Sequence, residues 1–112
     1  IWLETRSGPI LAMPYPVEVN DNRAIVFHKA SAAQFADMII DNFDEMLEQS
    51  ERQPLVFGIS LHTFVVGQPF RLRHLRRALK HVADHRDRIW LTRPAEICAH
   101  VESLPPGTVP GG

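Results

Sequence analysis

The chain has 112 residues, 45% hydrophobic and 22% charged, with twelve Lys and Arg against thirteen Asp and Glu. This is the profile of one soluble globular domain or a piece of a larger one, and the near-zero charge balance argues against a whole-chain nucleic-acid binder or a polybasic membrane protein. A single cysteine, Cys98, excludes an internal disulfide, and no apolar run approaches the roughly 18 residues a membrane span needs.

No basic-then-apolar signal segment opens the chain, and the expected location is the cytoplasm. The first residue is Ile1 rather than Met, so either a start has been removed or the chain belongs to a longer polypeptide.

The first stretch is broken by Gly8, Pro9, Pro14 and Pro16. Its apolar pieces, Ile1-Trp2-Leu3 and Ile10-Leu11-Ala12-Met13, suit short strands, since that proline spacing forbids a helix. Residues 14–30 read as a long loop through Asn20-Asp21-Asn22, and long loops are often functional. A helix begins after Ser31, where Ser31 and Gln34 make a capping box. Phe35, Met38, Ile39, Phe43, Met46 and Leu47 recur at helical spacing along its buried stripe, while residues 37–51 carry acids and no base, and Pro54 marks the end.

Leu55 to Leu61 is nearly continuous in apolar residues, as in a parallel strand buried on both faces, and His62 follows it directly. After a loop with Gly67 and Pro69, a second helix near 70–85 places Leu72, Leu75, Leu79 and Val82 on one side and Arg73, Arg76 and Lys80 on the other. Arg88 to Leu91 suits a short strand. Pro94 opens a last helix to about Glu102, and residues 105–112, with three prolines and three glycines, read as a flexible tail. Strands alternating with helices indicate an α/β layer or barrel.

Chemistry in parallel α/β folds collects at the carboxyl ends of strands, where His62 stands. A histidine there can act as general acid or base near neutral pH. A carboxylate beside it would fix the ring tautomer and help it hold a proton to donate, and Asp21 is the partner to consider. On the residues alone, Asp21 reads as turn chemistry, and the alternative for His62 is a histidine satisfied at a sheet rim.

His74, His81 and His85 share one side of the second helix, with His81 and His85 at the i, i+4 spacing of helical metal sites. No acid or cysteine completes that row, which reads as a solvated helix edge, and no metal ligands are assigned. Arg71, Arg73, Arg76, Arg77 and Lys80 form a cationic face without aromatic interleaving, with the acidic first helix as a counterpart. Cys98, between Ile97 and Ala99, reads as an inert buried thiol, and Trp2, Tyr15 and Trp90 as core or pocket wall.

Ile59-Ser60-Leu61-His62 followed by Gly67-Gln68-Pro69-Phe70-Arg71 resembles the last motif of the polysaccharide deacetylase (NodB-homology) superfamily, where a strand ends in Leu-His. Met13-Pro14-Tyr15 leading to Asn20-Asp21 resembles its preceding motif. Trp90, Arg93 and the segment from Pro94 to His100 resemble the end of the allantoinase-like, urate-catabolism branch.

The resemblance covers about residues 1–102 and implies an α/β fold, the C-terminal portion of a distorted (β/α) barrel of roughly 250 residues or more. Residues 1–104 would be the barrel part. The family's base and metal-binding aspartate motif, its histidine metal motif and its arginine motif would lie before Ile1. The tryptophan usual beside the aspartate motif of sugar deacetylases is missing, which favours a small cyclic amide or ureide as substrate.

Carried over by this resemblance, His62 is the general acid in hydrolysis of a non-peptide C–N bond, Asp21 orients it, and Leu61, Tyr15 and Trp90 wall the pocket. No cofactor is expected in this chain itself; the resemblance leaves a divalent metal in the complete protein open. The expected partners are a small-molecule amide, ureide or N-acetyl substrate and the missing N-terminal barrel portion, with no nucleic acid and no membrane. Open sheet edges also invite a homo-oligomer. The complete protein is then an enzyme and the 112 residues alone are inactive. A non-catalytic piece that completes a barrel or self-associates, and an independent basic-helix binding module, are the alternatives.

Overall fold

A computed structural model describes residues 1–111; Gly112, the last residue of the expected tail, lies outside the described residues. The chain divides into two compact units, Tyr15–Ile89 and a smaller one formed by Ile1–Pro14 with the residues from Trp90 on.

In the smaller unit, β1 (Trp2–Leu3) pairs antiparallel with β2 (Ile10–Leu11), Trp2 opposite Leu11. The two proline-bounded apolar pieces thus find each other across a tight Thr5–Gly8 turn. Helix α4 (Pro94–Glu102) begins at its proline, as expected. Glu96 accepts the Arg93 backbone N–H at 3.1 Å and hydrogen bonds from the Thr92 hydroxyl and the Arg93 guanidinium. Together these hold the Glu96 carboxyl below the ordinary carboxylate range, the Thr92 hydroxyl contributing most. Residues 105–111 are folded into turns, and the Pro110 carbonyl accepts the Trp2 amide at 2.9 Å. Cys98 is half-buried rather than enclosed.

The larger unit is built on α1 (Ala32–Gln49) and α3 (Pro69–Asp84). The capping box at the start of α1 is formed in full: the Gln34 amide N–H reaches the Ser31 hydroxyl at 3.1 Å, and the Gln34 side chain accepts the Ser31 N–H at 2.8 Å. Phe35, Ile39, Phe43 and Leu47 of its stripe are buried, with Met38 and Met46 at the margin. Three pairs join the helices: Arg77 with Asp37 at 2.7 Å, His81 with Asp44 at 2.6 Å, and Arg88, just beyond α3, with Glu51 at 3.3 Å. Numbers rise together along both helices, so α1 and α3 run parallel.

Four segments differ from the sequence expectation. The expected loop at 14–30 contains a π-helix, Asn22–Phe27, because Ala24 and Ile25 enter the core with Val19. Lys29 then takes a left-handed conformation, φ 57°, so that the Ala30 amide can close back on the Ala24 carbonyl. The expected loop after His62 begins with a short helix, α2 (Thr63–Val66), since Val65 and Val66 are buried.

The apolar segment 55–61 is extended rather than a ladder-paired strand. Its single parallel bridge joins Ser60 to Asn20; Phe57 and Ile59 pack on the helical core, while Leu55, Val56 and Leu61 are exposed. Burial on both faces needs a flanking strand and a second layer, and the described residues supply neither along its length. For the same reason residues 88–91 make no strand: a 3-10 turn covers Arg86–Arg88 and no partner follows. No closed barrel is present among the described residues.

In α3 the buried positions are Leu75 and Ala78, flanked by half-buried Leu72 and Val82. Leu79 is exposed, contrary to expectation, because the buried face of α3 runs through Leu75 and Ala78, which join the α1 residues in the core. Arg73, Arg76 and Lys80 are exposed as expected. Among the described residues no helix is long and apolar enough to cross a membrane.

Candidate functional site

Two segments that are distant in sequence run side by side at the centre of the larger unit. The Ser60 amide donates to the Val19 carbonyl at 3.0 Å, and the Asp21 amide donates to the Ser60 carbonyl at 3.1 Å. This short parallel pairing brings Asp21 and His62 side by side, each just past its own end of the bridge. Beyond it one segment turns into the π-helix and the other into α2, so both residues stand at the start of a helix.

Asp21 is completely buried. Its Oδ1 lies 2.6 Å from His62 Nδ1, and its Oδ2 accepts the His62 backbone N–H at 2.8 Å. A carboxylate can only accept from the ring, so Nδ1 carries the proton in this contact and Nε2 is the free ring nitrogen. The His62 side chain is about one-third exposed, at 33%. A buried anchor and an accessible tip are the two properties a proton-transfer histidine needs.

The neighbours restrict this pair further. Asn20 Oδ1 accepts the amides of Asn22 at 3.1 Å and Arg23 at 3.2 Å, the turn chemistry anticipated for this polar cluster, and it leaves Asp21 free to face His62. The Phe64 ring lies edge-on to the His62 ring, centroids 5.5 Å apart. The Tyr15 hydroxyl and the Ser60 hydroxyl are hydrogen-bonded at 3.0 Å. Sequence reasoning does not single out Phe64 and Ser60; their positions two residues either side of His62 are the signal that could have found them.

Of the expected pocket residues, Leu61 and Tyr15 are exposed in the same unit as the pair, Tyr15 by 71%. Trp90 belongs to the other unit, where it is exposed and lies edge-on to His100. Among the described residues no third His, Cys, Asp or Glu joins Asp21 and His62 within metal-binding reach, and both Asp21 oxygens are committed to His62. The described residues thus bring Asp21 and His62 together as a doubly hydrogen-bonded pair.

The chain is similar to a protein of Schizosaccharomyces pombe named as a polysaccharide deacetylase, with 29% identity over 90 residues. The matched stretch is 79% of this chain and 28% of the relative, so the chain spans little more than a quarter of the relative's length. No protein-family model matches the chain. The likeness is thus to a hydrolase of the deacetylase kind.

Proposed function

We propose that this chain is part of a deacetylase-like hydrolase of non-peptide C–N bonds, with His62 as general acid and Asp21 as its positioning residue. The observation that carries the reading is the double attachment of the Asp21 carboxylate to His62, which holds Nδ1 protonated and leaves Nε2 to exchange protons with a substrate.

Hydrolysis of an amide has a specific obstacle. Water adds to the carbonyl carbon, the C=O pair moves to oxygen, and the tetrahedral intermediate must then expel nitrogen. An unprotonated amide nitrogen leaves poorly. Protonated His62 gives the Nε2 proton to nitrogen as the C–N bond breaks with its electron pair, and the ring is left neutral on Asp21. The proton taken from the attacking water by a base restores the balance. Such proton transfer is typically worth about 10²–10⁴-fold.

The base, and any metal the complete enzyme uses, would come from the remainder of a (β/α) barrel, of which this chain would be the C-terminal third. The exposed apolar side chains Leu55, Val56 and Leu61 support this assembly, because they flank the dyad segment and lack a covering layer. Asn20 and Asn22, rather than an aromatic residue, flank Asp21. That polar setting favours a small cyclic amide or ureide over a polysaccharide, with N-acetyl compounds as the wider class.

The test is hydrolysis of ureide and N-acetyl substrates by the complete protein, by His62→Ala and Asp21→Asn, and by the 112 residues alone. Turnover should fall about 10²–10⁴-fold in His62→Ala, less in Asp21→Asn, and be absent from the 112 residues. Undiminished turnover in His62→Ala would remove the general acid, and activity of the 112 residues alone would remove the partial barrel.

A further inference from the structure

We propose that Asp44, His81 and His85 form a Zn²⁺ site clamping α1 to α3, separate from the dyad and sharing no residue with it. One ligand atom from each of the three lies within 4.8 Å of the others, the one such cluster of His, Cys, Asp and Glu among the described residues. Read along α3 alone, the histidine row lacks an acid; the parallel packing of α1 supplies one, making the row a helix–helix seam rather than a solvated edge.

The donor atoms are identified by their hydrogen bonds. His85 Nδ1 lies 2.8 Å from the His81 carbonyl, which can only accept, so Nδ1 carries the proton and Nε2 presents its lone pair. This is the backbone-anchored imidazole that metal sites use to orient a ligand. His81 Nε2 faces Asp44 Oδ1 at 2.6 Å, and the proton between them is the one Zn²⁺ would replace. Phe43 lies edge-on to both rings, at 5.8 Å and 5.5 Å between centroids, and limits their rotation.

Tetrahedral Zn²⁺ with bonds near 2.0–2.1 Å places its donors roughly 3.3 Å apart. The His81–Asp44 contact must open slightly, and the widest separation in the cluster must close by side-chain rotation. The groove around the cluster, about 320 Å³, is lined also by Leu47, Glu48, Glu51 and Arg88. Glu51 engages Arg88 at 3.3 Å, and Asp84 engages Lys80 at 2.8 Å, so these two cations have acidic partners of their own. Two imidazoles and one carboxylate select a borderline metal such as Zn²⁺ over Mg²⁺ or Ca²⁺, with water in the fourth position.

The experiment uses untagged, chelator-stripped protein titrated with Zn²⁺ by calorimetry, and with Co²⁺ to follow visible absorption. One equivalent should bind, Co²⁺ should give a tetrahedral spectrum, and binding should weaken as pH falls and protons compete for the imidazoles. Asp44→Asn and His85→Ala should each weaken Zn²⁺ at least about tenfold, while exposed His28→Ala should not. Circular dichroism verifies that each variant is folded; Asp44 is exposed, so its conservative replacement keeps the helix pair intact. Absence of one-equivalent binding to the wild type, or affinity unchanged in both folded variants, would overturn the site.

Discussion

Asp21 and His62, 41 residues apart in the chain, are joined twice: one carboxylate oxygen holds the imidazole Nδ1 and the other holds the His62 backbone amide. The second bond distinguishes the pair from an ordinary ion pair. It ties the backbone of the histidine to the same group that orients the ring, so loss of that carboxylate releases both the ring and the turn into α2.

This double role separates two substitutions at Asp21 and His62. Asp21→Ala should lower stability by about 1–3 kcal/mol, because the His62 amide and ring lose their shared acceptor at a buried position. It should also release the tautomer, increasing the Nε2–H form in long-range proton–nitrogen NMR spectra. His62→Ala should leave the urea midpoint closer to wild type than Asp21→Ala does. Equal tautomer populations in wild type and Asp21→Ala would show that the carboxylate does not hold the ring.

Phe35 tests the helix packing. It is 1% exposed and sits among Ile39, Val65 and Ala78 in one core. Phe35→Ala should cost about 3–5 kcal/mol, the range for truncating a buried aromatic side chain. Urea denaturation monitored by circular dichroism measures it, and a loss below about 1 kcal/mol would contradict the burial of this face.

Gly67 tests the turn between α2 and α3. A Cβ built there would overlap the Thr63 carbonyl oxygen, a backbone atom that cannot step aside as a side chain could. Gly67→Ala should therefore destabilise by about 1–3 kcal/mol through forced movement of the turn. A neutral or stabilising thermal shift would mean that the close approach is absent in solution.

Glu96 provides a pH readout in the smaller unit. The Thr92 hydroxyl first, then the Arg93 guanidinium and backbone amide, favour its ionised form and lower its midpoint. A lowered folded value means the contribution to folding is present above the ordinary carboxylate range and is lost as pH falls through the folded midpoint. Carboxyl-carbon NMR should show Glu96 titrating below an ordinary exposed glutamate, and Thr92→Val should move it upward. An unmoved midpoint in Thr92→Val would remove the hydroxyl as the main cause.

Local chemistry makes several elements legible in the sequence itself. Ser31 and Gln34 announce the start of α1 because their groups satisfy amides within one helical turn, and Pro94 announces α4 because its missing N–H costs nothing at a first turn. The α1 stripe from Phe35 to Leu47 follows from helical periodicity alone. His62 after an apolar run and Asp21 in a polar cluster are identifiable as candidates by type and position, but as independent ones. Their pairing depends on Val19–Asp21 lying parallel to Ser60, a contact between segments about forty residues apart that neither segment encodes by itself. The same distinction explains Leu79, which has the right period but the wrong side once Ala78 meets α1, and Leu55–Leu61, whose apolar run cannot specify its neighbours. It explains Asp44 as well, seen on α1 as one acid among many and made the partner of His81 only by helix packing. Caps and stripes are settled by neighbours three or four residues away, whereas strand partners and shared side-chain sites are settled only when chain closure brings remote segments together.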